Sequence, residues 1–259
     1  MDYGICNLSV IAVRKENCHT SELISQLLFG EYFRIIETST TWVKIENSFD
    51  KYIGWIDSKQ FLEISEEEFN NLESSTHYLA NDYIDLIFDD SNNVIPVTIG
   101  SLLPFYSGPS FKLGPKELKY EGDVVACENK NLERSKLVDI AYTYLNAPYL
   151  WGGKSPLGID CSGFTQIVYK MNGVQIPRDA IDQAKIGEVL SFIEESEPGD
   201  LAFFDNDEGV ITHVGIILEN NYIIHAYGSV RIDRIDHTGI YNVDTKRHTH
   251  KLRVIKKIC

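Results

Sequence analysis

The hydrophobic pattern of the first quarter of the chain predicts short β-strands. Apolar residues alternate with polar ones, or run together briefly, in "SVIAVR", "YFRIIET", "TWVKIE" and "IGWID", and turn-like polar clusters separate these runs. The segment "SELISQLLFGEYF" instead shows a brief helical period before Gly30. Several short strands at close spacing are typical of a small β-barrel, which we expect over residues 1–64.

A polar stretch separates this region from a second β-rich one. Residues 65–78, "SEEEFNNLESSTHY", are acidic and polar, which favours a short helix or a linker at a domain boundary. Residues 79–126 return to strand-like runs, including "YIDLIF", "NVIPVTIG" and "DVVAC", with proline and glycine between them. We therefore expect a second small barrel over residues 75–126.

The pattern changes to helical spacing in the last half of the chain. "ERSKLVDIAYTYLN" repeats its apolar residues at the intervals of an amphipathic helix. "CSGFTQIVYKMNG" has the same period and ends on Gly173, a residue suited to a helix C-cap. Strand-like runs follow in "DLAFFD", "HVGIIL", "YIIHAY" and "KLRVIKKI". Helices followed by antiparallel strands indicate an α+β domain, expected over residues 130–259.

Charge and composition narrow the classes of partner. The 259-residue chain has a formal net charge of −14, so nucleic acids and anionic membrane surfaces are poor partners. No stretch reaches the roughly 18 apolar residues of a membrane span. The start, "MDYGICNLSV", lacks the basic and apolar regions of a signal peptide. We expect a cytoplasmic protein, or a periplasmic one if a signal segment has been trimmed from the chain.

The cysteines and histidines give little sign of a metal or a disulfide framework. The five cysteines are odd in number and form no CxxC pair, so reduced thiols are expected. His248 and His250 lie two residues apart, but without a carboxylate or cysteine at metal-ligand spacing an exposed strand is the better interpretation. No metal or organic cofactor is expected.

Cys161 is a candidate nucleophile because it opens the second predicted helix. The unpaired N–H groups and the positive dipole end at a helix start favour a thiolate, which predicts a lowered pKa. Backbone N–H groups of the same turn, including that of Cys161, can form an oxyanion hole. The alternative is that Cys161 is a small buried hydrophobe.

Two histidines are candidate partners for this cysteine. His213 begins one strand-like run and His225 lies toward the end of the next. Adjacent antiparallel strands would bring the two rings side by side, with one ring nitrogen of His213 toward Cys161 and the other held by His225. Either histidine alone is more often a hydrogen-bonded structural residue; the joint pattern of three residues favours catalysis.

Five segments of the second half resemble the NlpC/P60 family of papain-like cysteine peptidases. They are "PYLWGGKSPLGIDCSGF", "RDAIDQA", "PGDLAFFD", "ITHVGIIL" and "IIHAYG", in the family's order and spacing. The resemblance implies that Cys161 is the nucleophile, His213 the base and His225 the group that orients the base. The order of cysteine before histidine separates the chain from circularly permuted acyltransferase relatives.

The N-terminal part resembles the bacterial SH3 domains of the γ-D-glutamyl-L-diamino acid endopeptidases, a subgroup of this family. "CHTSELISQLLFGE" carries the resemblance for the first barrel, and the second matches more weakly. In that subgroup an acidic residue and an SH3-domain tyrosine hold the substrate's free amine. The resemblance assigns the acidic role to Asp179, in "PRDA", and Tyr52, in "DKYIGW", is our choice for the tyrosine.

Three further residues near the nucleophile are candidates for substrate binding. Tyr149 would donate to the oxyanion or orient the peptide. Asp160 and Ser162 flank the nucleophile, and the resemblance implies that they help to hold substrate. The alternatives are that Asp160 caps the helix and Ser162 satisfies its first turn. Arg178 would bind a substrate carboxylate or form a structural ion pair.

The sequence thus predicts an α+β fold, with a papain-like NlpC/P60 catalytic domain behind two small SH3-like β-barrels. The resemblance implies cleavage of the γ-D-Glu–diamino acid bond in murein peptides with a free N-terminal L-Ala, and we expect a monomer without cofactor. The diamino acid is either meso-diaminopimelate or L-Lys. One alternative is an endopeptidase or amidase acting on intact peptidoglycan. Another is a non-catalytic wall-peptide binding module.

Overall fold

The computed structural model describes residues 2–127 and 133–258 and divides the chain into two compact units. Unit 1 comprises Met1–Lys130 together with Trp151–Pro156, and unit 2 comprises Asn131–Leu150 together with Leu157–Cys259. The predicted domain start at residue 130 lies outside the described residues. The other predicted domain boundaries stay predictions.

The first part of unit 1 is a seven-stranded antiparallel sheet in the order β3-β2-β6-β5-β4-β1-β7. Its strands are β1 (Tyr3–Ile5), β2 (Val10–Arg14), β3 (Leu23–Leu28), β4 (Tyr32–Thr38), β5 (Trp42–Asn47), β6 (Ile53–Asp57) and β7 (Leu62–Glu63). Its core forms from side chains that alternate inward along these strands, among them Ile11, Val13 and Ile45, together with Cys6.

The helical period read before Gly30 is wrong. The segment forms the strand β3, which pairs with β2 from Val10 opposite Leu28 to Arg14 opposite Leu23. The pairing uses the backbone groups of both strands and buries Leu27 and Leu28. Tertiary pairing therefore overrides a weak local periodicity.

The second part of unit 1 begins with the helix α1 (Glu66–Ser74), as the polar stretch predicted. A capping box holds its start: the backbone N–H of Glu68 donates to Ser65 Oγ, and Glu68 accepts in return from the backbone N–H of Ser65. Two sheets follow, β10-β9-β13-β12 and β11-β8-β14. Their strands are β8 (His77–Ala80), β9 (Ile84–Asp89), β10 (Val94–Thr98), β11 (Leu102–Leu103), β12 (Ser110–Leu113), β13 (Lys116–Tyr120) and β14 (Val124–Cys127).

A short segment distant in sequence completes unit 1. It contains the strand β15 (Lys154–Ser155). The ammonium group of Lys154 is fully buried and lies 3.3 Å from both carboxylate oxygens of Glu31. The backbone N–H of Lys154 donates to Gln26 Oε1 at 2.7 Å. A buried ion pair and a side-chain hydrogen bond thus hold this segment against the first sheet.

Unit 2 combines helices with a closed β-barrel. The barrel runs β18-β19-β20-β21-β22-β23, and pairing of β23 with both β18 and β22 closes it, while β17 extends the sheet beside β23. The helices are α2 (Arg134–Thr143), α3 (Cys161–Met171) and α4 (Ala180–Gln183), and 3₁₀ turns occur at Ile193–Glu195 and Glu219–Asn221. The strands are β16 (Gly158–Ile159), β17 (Glu188–Leu190), β18 (Leu201–Asp205), β19 (Ile211–Leu218), β20 (Tyr222–Tyr227), β21 (Ser229–Ile235), β22 (Gly239–Asn242) and β23 (Arg247–Lys257).

Helix α3 is the element that joins the helical and strand layers of unit 2. Its eleven residues are all buried, and it packs against α2 on one side and against β19 and β20 on the other. A helix buried all round is hydrophobic on most faces, in agreement with "CSGFTQIVYKM". The predicted α+β fold with a β-rich N-terminal region is confirmed.

In residues 2–127 and 133–258, no helix combines the length and the apolar character needed to cross a bilayer. Among the described cysteines, Cys6, Cys18 and Cys161 are free thiols; Cys259 lies outside the described residues.

Candidate active site

Cys161 is the first residue of α3, as the sequence predicted, and only 7% of it is exposed. Its sulfur takes part in a hydrogen bond with the backbone of Val214, the residue after His213 on β19. Because α3 packs directly on β19, the helix start and the strand hold the cysteine beside the first candidate histidine.

The two candidate histidines are in contact. Nε2 of His213 lies 2.9 Å from Nδ1 of His225, and the two rings meet edge to face at 82°. Strands β19 and β20 pair antiparallel with Ile216 opposite Ile224. Continued by one residue, this register sets Gly215 opposite His225, so the two histidines are diagonal neighbours on one face. Gly215 has no side chain to occupy the space: a Cβ there would lie 2.9 Å from the His225 Cβ. Because Nε2 of His213 is hydrogen-bonded to His225, Nδ1 of His213 is the ring nitrogen that can interact with Cys161.

Sequence reasoning missed a buried carboxylate behind His225. Asp233 Oδ2 lies 3.1 Å from Nε2 of His225 and accepts a hydrogen bond from Nε of Arg231 at 2.7 Å. Strand β21, which carries Asp233, was not among the predicted strands. The signal was available: "YGSV" contains a turn, and an acidic residue shortly after it returns beside the strand of His225.

The predicted lowering of the Cys161 pKa is wrong. Burial is the largest influence and raises the pKa of the thiol to about 12, because a thiolate would lose its hydration there. The carboxylate of Asp160 raises the pKa further. Hydrogen bonds from the backbone and the charge of Arg178 act in the opposite direction and do not compensate. The helix start does stabilise the anion, but less than burial disfavours it.

The histidines are held neutral as well. Burial, followed by the neighbouring rings of His225 and His250, lowers the pKa of His213 well below 6.5. Burial also lowers the pKa of His225, against the opposing effect of Asp233. The resting site therefore contains a thiol and a neutral imidazole, not a thiolate–imidazolium pair.

Tyr149 lies beside the nucleophile. A bridge with Ile159, and the hydrogen bond from the backbone N–H of Tyr149 to Gly228 O at 3.0 Å, fix the backbone here. Burial, and after it the negative charge that Cys161 or Asp160 can carry, raises the pKa of the Tyr149 hydroxyl to about 12. The hydroxyl therefore stays protonated and can donate a hydrogen bond to an anion near Cys161.

Asp160 is the N-cap of α3: its Oδ1 accepts a hydrogen bond from the backbone N–H of Gly163 at 2.7 Å. The guanidinium group of Arg178 binds the same carboxylate through two nitrogens, at 3.0 and 2.7 Å, and also donates to Ser162 Oγ at 2.9 Å. Arg178 is thus a buried structural ion pair, the second of its two predicted roles. Asp160 and Ser162 are part of that network, and their substrate contacts stay predictions.

Asp179 is half-buried and immediately precedes α4. Gln183, on the same helix, donates to the Ser162 carbonyl oxygen at 3.0 Å and accepts from Thr165 at 2.8 Å. These bonds tie α4, and with it Asp179, to the first turns of α3.

Tyr52 belongs to unit 1, in the turn between β5 and β6, and its substrate role stays a prediction.

The two histidines near the C-terminus differ from each other. His248 is exposed, as expected for its strand, and bonds to the Asp236 carboxylate at 2.9 Å. His250 is half-buried and stacks on His213, with ring centroids 4.2 Å apart and planes at 27°. It therefore covers one face of the candidate base. No cluster of three or more His, Cys, Asp or Glu side chains with metal-binding geometry occurs among the described residues.

Comparison with known proteins gives matches to both halves of the chain. Residues 146–251 match the NlpC/P60 family, and residues 13–61 match the bacterial dipeptidyl-peptidase SH3 domain. Gamma-D-glutamyl-L-lysine dipeptidyl-peptidase of Bacillus subtilis is 27% identical over 225 residues, covering 81% of this chain and 74% of the relative. Dipeptidyl-peptidase 6 of Lysinibacillus sphaericus is 27% identical over 229 residues, covering 80% of each. A crystal structure of an NlpC/P60 family protein from Bacillus cereus has the same fold, with a TM-score of 0.84 and 20% identity over 99% of both chains.

Proposed function

Because the chain is a peptidase with an NlpC/P60 cysteine peptidase domain and a bacterial dipeptidyl-peptidase SH3 domain, we propose that it cleaves the γ-D-Glu–diamino acid bond of murein peptides. The substrate carries a free N-terminal L-Ala, and the product is L-Ala-γ-D-Glu. One observation carries this proposal: the match to the Bacillus subtilis dipeptidyl-peptidase extends over 81% of this chain, well beyond the peptidase domain. That relative's name favours L-Lys as the diamino acid.

The chemistry follows from a thiol beside a neutral imidazole. As Cys161 Sγ bonds to the γ-carbonyl carbon of D-Glu, its proton passes to Nδ1 of His213, and the carbonyl π electrons move to the oxygen. The oxyanion is stabilised by the N–H group of Cys161 and the hydroxyl of Tyr149. The C–N bond then breaks, and the departing amine takes the proton back from Nδ1. Water hydrolyses the thioester by the same proton route and restores the thiol.

Recognition of the free amine is assigned to Asp179 and Tyr52. An ammonium group donates three hydrogen bonds, so a carboxylate and a phenolic oxygen suit it. The half-buried position of Asp179 at the start of α4 supports the first assignment. The assignment of Tyr52 is supported only by its sequence context, "DKYIGW".

The deciding experiment compares L-Ala-γ-D-Glu-L-Lys with its N-acetylated form, with release followed by mass spectrometry. We expect cleavage of the free tripeptide and little of the acetylated one, because acetylation removes the positive charge. The meso-diaminopimelate peptide, run in parallel, reports the preferred diamino acid. Equal cleavage of free and acetylated peptides would favour an endopeptidase on intact wall, and retention without cleavage would favour a binding module.

Variants assign the roles. Cys161→Ala should lower kcat/KM by about 1,000-fold or more, as removal of a nucleophile does. The matched control is Cys18→Ala, which removes an exposed cysteine of unit 1 and should leave the rate within about twofold. Tyr52→Phe should raise KM for the free tripeptide, by about ten- to 150-fold for one lost hydrogen bond to a charged group. An unchanged KM would remove Tyr52 from the substrate site.

The place of action is part of the same proposal. Murein peptides that already carry a free L-Ala are products of earlier wall breakdown, which fits a role in peptide recycling inside the cell. The free thiols of Cys6, Cys18 and Cys161 support a reducing compartment. We propose that the protein acts there as a monomer.

A further inference from the structure

Three buried side chains on successive strands form one hydrogen-bonded series. His213 is on β19, His225 on β20 and Asp233 on β21. The links are 2.9 Å from His213 Nε2 to His225 Nδ1 and 3.1 Å from His225 Nε2 to Asp233 Oδ2. His225 and Asp233 are both fully buried. Water therefore does not compete for these hydrogen bonds, and each proton position depends on the next group in the series.

The surroundings of Asp233 determine its protonation. Its Oδ1 accepts from Nη2 of Arg231 at 3.0 Å and from the backbone N–H of Val243 at 3.0 Å, and its Oδ2 accepts from Nε of Arg231 at 2.7 Å. Burial alone would raise the pKa of Asp233, but these donors and His225 lower it to about 2. The group is a carboxylate at neutral pH, and a carboxylate can only accept hydrogen bonds.

The proton positions along the series follow from that carboxylate. Nε2 of His225 must carry a proton to donate to Asp233. A neutral His225 then has a lone pair on Nδ1, so Nε2 of His213 must donate to it. His213 is left with a lone pair on Nδ1, the form that accepts the proton of the Cys161 thiol.

We propose that Asp233 is a positioning residue that, acting through His225, keeps His213 in the tautomer able to act as the base toward Cys161. The inference depends on the peptidase activity and not on which murein peptide is the substrate. It extends the predicted pair of histidines by one group that never meets the substrate. The ring of His250, stacked on His213, and the ring of Phe204, 5.8 Å away, restrict the ring's movement but offer no carboxylate to select a tautomer.

Asp233→Asn is a sharp test because the amide can reverse the direction of the hydrogen bond with His225 Nε2. With its NH₂ group at the Oδ1 position, the amide would face two donors, from Arg231 and Val243. With NH₂ at the Oδ2 position it faces one donor of Arg231 and can donate to His225 Nε2. The second orientation places the NH₂ group against fewer donors and is therefore lower in free energy. Because the amide then donates to Nε2 of His225, the proton of His225 moves to Nδ1. Nδ1 of His225 in turn donates to Nε2 of His213, so the proton of His213 also moves to Nδ1. We expect the wrong tautomer of the base.

The activity of Asp233→Asn should fall mainly in kcat. A comparable carboxylate-to-amide change in the serine-protease triad lowers kcat by about 10⁴-fold. Asp233 is one residue further from the base, so we expect kcat to fall by at least about 100-fold and KM to change by less than about threefold. The matched control is Asp244→Asn, which removes the exposed carboxylate on the other side of Arg231 Nη2, at 2.7 Å, and leaves the Asp233–His225 bond intact. It should retain wild-type kcat within about twofold.

A spectroscopic readout separates positioning from a purely structural role. Long-range ¹H–¹⁵N NMR of ¹⁵N-histidine-labelled protein reports which ring nitrogen carries the proton. The signals are assigned with variants in which one histidine at a time is replaced. Wild type should show Nε2–H on both His213 and His225, and Asp233→Asn should show Nδ1–H on both. Nδ1–H on His213 in the wild type would overturn the proposal without any variant.

Two further outcomes would also overturn it. One is a variant that keeps both wild-type tautomers while losing activity, since Asp233 would then only support the fold. The other is a variant that changes tautomer and keeps its kcat. The NMR measurement needs no substrate, so an error in the proposed substrate shows only in the peptide assays and is distinguishable from a failure here.

Discussion

At the scale of single residues, Cys161 shows how burial and helix position compete. The N–H groups of the first helical turn favour a thiolate, but an anion at a site 7% exposed loses most of its hydration. The neighbouring Asp160 carboxylate, which the helix needs as its cap, adds to the same effect. The reactive cysteine is therefore a thiol at rest that becomes nucleophilic when His213 accepts its proton.

We predict that iodoacetamide alkylates Cys161 slowly at neutral pH and that the alkylation rate continues to increase up to pH 10. With a pKa near 12, its thiolate fraction at pH 8 is far below that of a model peptide cysteine of pKa about 8.5. Its rate should be at least about tenfold lower than the peptide's, because only the thiolate reacts. Mass spectrometry of the labelled peptides measures the rate. A rate that levels off below pH 7 would instead indicate a thiolate–imidazolium pair.

At the scale of elements, the site is built by three neighbouring strands and one helix. Alternation along β19, β20 and β21 puts His213, His225 and Asp233 on one face, and α3 brings Cys161 to that face. The stability of unit 1 likewise depends on a close contact between two elements that are distant along the chain. Gly30 lies in the turn between β3 and β4 with φ +78°, and a Cβ there would clash with the backbone carbonyl oxygen of Leu102, the first residue of β11.

We predict that Gly30→Ala lowers the free energy of unfolding of unit 1 by about 3 kcal/mol or more. The methyl group adds a clash with backbone to the usual cost of about 1 kcal/mol for a positive φ. Gly209→Ala, in unit 2, is the control matched in backbone conformation: φ is +76° and nothing lies within 4 Å of the added atom. Urea denaturation should show a clearly larger loss for Gly30→Ala. Equal losses would mean that the turn moves away from Leu102 at little cost.

At the scale of the whole molecule, acid should destabilise the protein through its buried histidines. The pKa values of His213, His225 and His250 are all lowered in the folded chain, and that of His250 falls to about 4. An unfolded chain protonates these side chains below about pH 6.5. As the pH falls from 6.5, the unfolded state binds protons that the folded state excludes, so the stability present above pH 6.5 is progressively lost.

We predict that the free energy of unfolding falls between pH 7 and pH 5 by on the order of 1 to 2 kcal/mol for each of these histidines. Chemical denaturation at a series of pH values measures the slope. His250→Phe keeps a ring against His213 but cannot be protonated, so it should reduce the proton uptake on unfolding by about one. An unchanged slope in this variant would contradict the low pKa of His250.

Much of the fold and most of the site were predictable because they rest on local pattern. The strands of His213 and His225 and the helix that begins at Cys161 follow from periodicity and turn residues. The acidic and polar composition of residues 65–78 favours a short helix or a linker, and the structure has the helix. The local pattern of "SELISQLLFGEYF" favours a helix, and only pairing with the partner strand β2 makes this segment the strand β3. The role of Arg178 stayed open because a guanidinium group suits a substrate carboxylate and Asp160 equally well until the two are placed in contact.

The sequence by itself determined most of the elements, the α+β class, and the resemblance to a cysteine peptidase family that assigns roles to Cys161, His213 and His225. These depend on side-chain period and on short motifs, which are properties of neighbouring residues. Only the tertiary structure decided the protonation of the site. Burial raises the Cys161 pKa and lowers that of His213, and the carboxylate that directs the two histidines, Asp233, comes from a third strand. Desolvation and hydrogen bonding between distant residues exist only when the chain is folded, so they follow from packing and not from local pattern.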